Sequence, residues 1–198
     1  MLTSAANSGI INASVGNSNV KIGDTDGMTK ITDVKFIDFN DKTAIEKELY
    51  DFAEKYAYAD VEYSLTISPD NRVYLLQGKE KAVNTGLLES DILKQSISIH
   101  NHTVQINEYM ADSFSFDDLD YANYYHAGKQ YLTSGERREA FEFTQYHTTD
   151  EVTQAWANSQ RLMWENHVNN NTEVIFEHEE ILRNLNLFLE GFEFYENF

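Results

Sequence analysis

Apolar and polar positions change period several times along the chain, and each change predicts an element. Residues 42–58 (KTAIEKELYDFAEKYAY) set Ile45, Leu49, Phe52, Ala53 and Tyr56 at helical spacing, with Asp41 as the N-cap. Just upstream, Val34, Phe36 and Ile37 predict a short strand, so the folded part is expected to begin near Thr32. Downstream the period falls to two. In DVEYSLTI, Val61, Tyr63, Leu65 and Ile67 alternate, and RVYLLQG follows after Ser68-Pro69-Asp70-Asn71, a turn holding the sole proline. This predicts a hairpin. Residues 87–94 predict a short helix and SISIH (96–100) a short strand ending in histidine. The stretch FDDLDYANYYHAG, entered from Ser115, predicts a helix closed by Gly128. KQYLTS and REAFEFTQY predict a second hairpin around Ser134-Gly135.

From 148 onward the expectation is helical: TTDEVTQAWANSQRLMWENH, an Asn-rich break at 169–171, then EVIFEHEEILRNLNLFLEGFEFYENF. Ile181, Leu182, Leu185, Phe188 and Leu189 form a stripe suited to a core or a dimer. The terminal Phe192, Phe194, Tyr195 and Phe198 are expected to pack back on the domain, the alternative being a protein partner docked through this C-terminal aromatic helix. At the other end, residues 1–30 are rich in Ser, Asn, Gly and Asp without sustained periodicity and predict a linker or poorly ordered arm. Strands mixed with helices give an α/β (α+β) domain over 31–147, with 148–198 as a helical extension packed on it.

With 41% hydrophobic residues among 198, the chain has material for one sizeable core. Its 33 acidic against 15 basic side chains give a net charge of -18, which argues against a nucleic-acid surface or docking on anionic lipid. The absence of cysteine removes disulfides, thiolate metal sites and cysteine nucleophiles, so any metal must be held by His, Asp and Glu. No run approaches the roughly 18 apolar residues of a membrane span, and the first residues lack the form of a signal peptide. A soluble protein, cytoplasmic or virion-associated, is the expectation.

The chemistry concentrates in Ile99-His100-Asn101-His102-Thr103 and Ser113-Phe114-Ser115-Phe116-Asp117-Asp118-Leu119. At i and i+2 on a strand, His100 and His102 face the same way, a workable spacing for two nitrogen ligands. Asp118 falls in the first turn of the next helix, and two histidines with one carboxylate leave a fourth tetrahedral position open. Plainer readings stand beside this one: a chance His-x-His, and a Ser-x-x-Asp that only caps its helix. Glu62 shares a face with Ser64 and Thr66, and alternation alone makes it an outward-facing strand acid.

Taken together, Glu62, His100-Asn101-His102 and Ser115-x-x-Asp118 resemble the JAMM motif of the MPN/JAB-domain metalloproteases, in its bacterial and phage, RadC-like flavour. Phe114-Ser115-Phe116-Asp117-Asp118-Leu119 matches the second half of that motif, and the resemblance covers roughly residues 42–145. Thr103 stands where the family usually has proline, and the loop from His102 to Ser115 is longer than usual. Glu46, Glu48 and Glu54 are alternatives for the acid, though on a predicted helix. The resemblance implies a cytidine-deaminase-like three-layer domain with a mixed central sheet. It implies Zn²⁺ on His100, His102 and Asp118, Glu62 as proton acceptor and donor, and Ser115 as donor to the oxyanion. The implied reaction is hydrolysis of a peptide or isopeptide bond, possible for a phage- or toxin-associated module. Two other classes are carried beside it: an inert acidic interaction or inhibitor protein on the same scaffold, and a metal-stabilised structural domain of a virion. His126, His147, His167 and His178 have no ligand partner at convincing spacing.

Overall fold

The computed structural model describes residues 20–103, 114–158 except 136 and 144, and 192–196. Among the described residues, seven strands form one mixed sheet in the order β1-β3-β2-β4-β5-β6-β7. They are β1 (Lys30–Phe36), β2 (Tyr63–Ile67), β3 (Arg72–Gln77), β4 (Ile97–Asn101), β5 (Gln130–Ser134), β6 (Arg137–Phe143) and β7 (Phe192–Glu196). Among these described strands, β4 and β5 are the one parallel pair. The connection between them carries α3 (Phe116–Tyr124), the crossover that a parallel pair requires. The other helices are α1 (Lys42–Tyr56), the single turn α2 (Ser90–Leu93) and a helix described over 149–158.

Helices cover both faces of the sheet. On one face, Ile45, Leu49, Phe52 and Ala53 of α1 pack on Leu65, Ile67, Val73 and Ile99. Asp41 caps α1 by accepting the Ala44 N–H, as its sequence predicts. On the other face two clusters lie side by side. Tyr74 and Leu76 pack with Leu88, Ile92 and Leu93 around α2, while Leu132, Phe141 and Phe143 pack with Leu119 and Ala122 of α3 and Val152 and Ala155 of the following helix. Tyr121 of α3 touches both clusters. The general α/β expectation therefore holds.

Several expectations need correction. Residues 192–196 are not helical: they add β7 to the sheet, with Phe192 opposite Phe143 and Phe194 opposite Phe141. The sequence there, FEFYE after Gly191, alternates with period two, and the helical spacing of 181–189 does not carry across the glycine. The expected C-terminal aromatic helix therefore does not extend through these residues, and its stripe at 181–189 lies outside the described residues.

Residues 20–30 are likewise no linker. Asp26 accepts the N–H groups of Met28 and Thr29, Gly23 N–H donates to Ile31, and Thr29 is fully buried. Polar residues that fold a turn on themselves read like a linker in composition. Residues 1–19 lie outside the described residues.

Helix α3 ends before Gly128, with His126 taking the left-handed conformation at φ 51. Gly128 serves close approach instead: a Cβ there would sit 2.8 Å from the Ser96 carbonyl oxygen.

Candidate metal centre

The parallel pair positions the site. His100 lies in β4 and His102 just beyond it, where its N–H extends the ladder by donating to the Thr133 carbonyl at 3.0 Å. Helix α3 starts beside the carboxyl end of β4, so its first turn faces the usual place for ligands in an open α/β sheet. Ser115 caps that helix. Its Oγ accepts the Asp118 N–H at 3.3 Å, and Asp118 Oδ2 accepts both the Ser115 N–H and the Ser115 Oγ–H at 2.7 Å. The capping reading of Ser-x-x-Asp is thus correct, and it does not exclude ligation: the cap fixes the carboxylate in the direction of the histidines.

His100 Nε2 and His102 Nε2 lie 3.1 Å apart. His100 Nε2 is 3.3 Å from Asp118 Oδ1, and His102 Nε2 is 3.5 Å from Asp118 Oδ2. With metal–ligand bonds near 2.0–2.1 Å, the edge of a tetrahedron is about 3.3–3.4 Å. The separation of the two imidazole nitrogens falls near that value, each imidazole approaches a different oxygen of Asp118, and one ligand atom from each of the three residues lies within 4.8 Å of the others, so the three can hold a metal ion. Only 13% and 12% of the histidine side chains are exposed, and 23% of Asp118. Burial opposes ionisation of Asp118, but the charges and hydrogen bonds of His100 and His102 outweigh it and hold its carboxyl well below the usual range. The same carboxylate is what a cation would meet.

Glu62 lies immediately before β2 and lines the same cleft as the triad. Its expected outward orientation fails because the face it shares with Ser64 and Thr66 is covered: those two residues are 1% and 0% exposed. Burial raises the Glu62 pKa; His100 and His102 pull it back, Asp118 pushes it up further, and the Val83 N–H, which donates to it, lowers it. Its backbone is pinned on both sides. Glu62 N–H donates to the Lys79 carbonyl, and Gly78 N–H donates to the Glu62 carbonyl, both at 2.8 Å. The alternatives Glu46, Glu48 and Glu54 lie on α1, which packs on the opposite face, so none of them joins the cleft.

Two positioning residues were not legible as such. Asn101 is fully buried. Its Oδ1 accepts the Tyr63 N–H at 2.6 Å and its Nδ2 donates to the Val61 carbonyl at 3.2 Å, so its amide grips the chain on either side of Glu62. Thr103 donates its hydroxyl to the Glu80 carbonyl at 2.9 Å, tying the strand end to the turn that follows Gly78. A buried amide between two ligands on a central strand was the available signal for Asn101. Ser115 is found in the cleft with its proton committed to Asp118. Residues 104–113 of the long loop, with His167 and His178, lie outside the described residues. His126 stacks on Tyr146 at 4.0 Å between ring centroids, and His147 approaches Glu151 at 3.7 Å, each apart from the triad.

No protein-family model, curated protein or solved structure matches the chain.

Proposed function

We propose that this chain is a metal-dependent amide hydrolase, a zinc peptidase or isopeptidase of the JAMM type. The observation that carries the reading is the convergence of His100, His102 and Asp118 at 3.1–3.5 Å with a partly desolvated Glu62 in the same cleft. Two imidazoles and one carboxylate suit zinc better than magnesium or calcium, which prefer all-oxygen sites. Bound there, the metal supplies Lewis-acid polarisation and lowers the pKa of a coordinated water to about 7.

The chain's own residues do the rest. Glu62, held by the Val83 N–H and by its backbone ladder, takes a proton from the attacking water at its carboxylate and returns it to the leaving amine nitrogen. A C–O bond forms as the amide C–N bond breaks. A carboxyl whose pKa is raised by burial lies nearer the working range for that exchange. Ser115 orients Asp118 through the capping box; donation to the oxyanion would require its hydroxyl to give up the bond to Oδ2.

Elemental mass spectrometry of the purified chain tests the reading. The expected result is about one zinc per chain, lost in His100→Ala/His102→Ala. Glu62→Gln should keep the metal and lose about 10²–10⁴ of turnover on any peptide or isopeptide that the wild type cuts. A wild type that takes up no metal from excess zinc overturns the hydrolase reading and leaves the inert acidic interaction protein.

A further inference from the structure

The loop 78–84 follows β3 and holds Glu62. Gly78 and Lys79 bond its backbone on either side, and the Val83 N–H donates to its carboxylate. The loop closes on itself, with Lys79 N–H donating to the Ala82 carbonyl at 2.8 Å. A Cβ at Gly78 would collide with that same carbonyl oxygen, so the closure requires glycine there.

The far end of the loop is anchored from a distant part of the chain. Asn84 N–H donates to the Thr29 hydroxyl at 2.6 Å and Asn84 Nδ2 donates to Asp26 Oδ2 at 2.7 Å, bonds that span 55 and 58 residues. Asn84 Oδ1 accepts the Gly86 N–H at 3.0 Å and its carbonyl accepts the Leu87 N–H at 3.3 Å, so every polar group of Asn84 has a partner. The turn that receives it is itself firmly tied. Asp26 Oδ1 accepts the Met28 and Thr29 N–H groups, the Thr25 hydroxyl donates to the Thr29 carbonyl at 2.7 Å, and Thr29 is fully buried. The Thr29 N–H, the Asn84 amide and the Met28 N–H hold the Asp26 carboxyl below its usual range, so it is an ionised acceptor at neutral pH. Met28 and Asn84, from the two sides of this junction, both line the cleft.

We propose that Asn84 is a positioning residue for Glu62: anchored by Asp26 and Thr29, it holds the loop whose Val83 N–H meets the carboxylate, and it makes the turn at 23–29 a working part of the site. Consecutive amides of the loop have separate partners, Val83 bonding Glu62 and Asn84 bonding Thr29. Only the φ and ψ of Val83 lie between those two N–H groups, so a displacement of Asn84 is passed to the group that meets the carboxylate. The side chain of Val83 leaves it little freedom to absorb the change, since it packs on the cluster of Ile31, Tyr74 and Leu76. The effect of this clamp on turnover rests on the amide-hydrolase reading; its effect on the Glu62 carboxylate does not.

The test exchanges the two partners. Asn84→Asp sets two carboxylates against each other, and Asp26→Asn leaves an amide that cannot accept on both of its edges. Asp26→Asn/Asn84→Asp together restore one donor and one acceptor across the junction. The full chain with excess zinc is compared by NMR at one fixed pH, reading hydrogen exchange of the Val83 amide and the carboxyl ¹³C resonance of Glu62. The Leu49 amide of α1 reports global opening. Each single variant should speed Val83 exchange about tenfold and move the Glu62 resonance, with Leu49 exchange and zinc stoichiometry unchanged, and the double exchange should restore both. On any peptide or isopeptide that the wild type cuts, kcat should fall about tenfold at constant KM in each single variant and recover in the double. Thr29→Val, which removes the other anchor, should give the same changes as the single variants and serves where either of them fails to fold. Unchanged Val83 exchange, equal acceleration at Leu49, an unmoved Glu62 resonance, or a double exchange that restores nothing overturns the assignment. The NMR changes without zinc binding or turnover in the wild type overturn the hydrolase reading and leave the clamp; zinc binding and turnover indifferent to all these variants do the reverse.

Discussion

Asn101 joins the two halves of the site, since one amide on the histidine strand holds the backbone on both sides of Glu62. Asn101→Ala should therefore leave a buried N–H and C=O unpaired and cost about 1–3 kcal/mol in urea unfolding. Zinc uptake should survive it, because the ligands are untouched, while turnover falls as Glu62 loses its register. Glu62 makes a second expectation at this scale. Its folded pKa is raised by burial, so its favourable contribution is present below the unfolded value and is lost as the pH rises through the folded one. In the metal-free chain Glu62→Gln should then melt above wild type at neutral pH, with the gap closing on acidification below about pH 4. His100, His102 and Asp118 were legible as a group because strand period and helix start bring them to one edge. The orientation of Glu62 was not. Alternation says which residues share a face, but not that α2 and α3 cover the face bearing Ser64 and Thr66.

At the scale of elements, the capping box of α3 does two jobs with one carboxylate. Ser115→Ala removes the hydroxyl that caps the helix and orients Asp118, so it should cost about 1 kcal/mol of stability. It should also weaken metal affinity about 10–100-fold by loosening the ligand, read by competition with a chelating dye. A cap without a metal role would move stability alone. The hairpin of β2 and β3 and the helix α1 were legible from local signals, a proline turn and an N-cap before a periodic stripe. β7 was not, since its partner β6 lies some fifty residues earlier and only long-range pairing distinguishes its aromatics from a continued helix. The turn at 23–29 escaped for the opposite reason. Most hydrogen bonds of Asp24, Thr25 and Asp26 reach only two to four residues, so these residues look like solvated linker residues, and the bond from Asn84 Nδ2 to Asp26 is a long-range one that local reading does not find.

For the whole molecule, the metal site ties the end of β4 to the first turn of α3, within the crossover that joins β4 to β5. His100 and His102 come from the strand whose Ile99 packs under α1, while Asp118 belongs to the helix whose Leu119 and Ala122 pack on β5 and β6. An ion bound to all three holds the folded chain and has no comparable site in the unfolded one, so binding free energy becomes folding free energy. The net charge of -18 adds self-repulsion that a divalent cation partly relieves, but that relief is screened by salt and does not depend on the triad. The two contributions separate experimentally. At zinc a hundredfold above its dissociation constant, wild type should gain about 2.7 kcal/mol. For a chain of this length that corresponds to a rise of about 5–10 °C in Tm. The rise should persist at high salt and vanish with a chelator. His100→Ala/His102→Ala should keep only the salt-sensitive part; an equal rise in that variant would mean that zinc acts on the acidic surface and not at this centre.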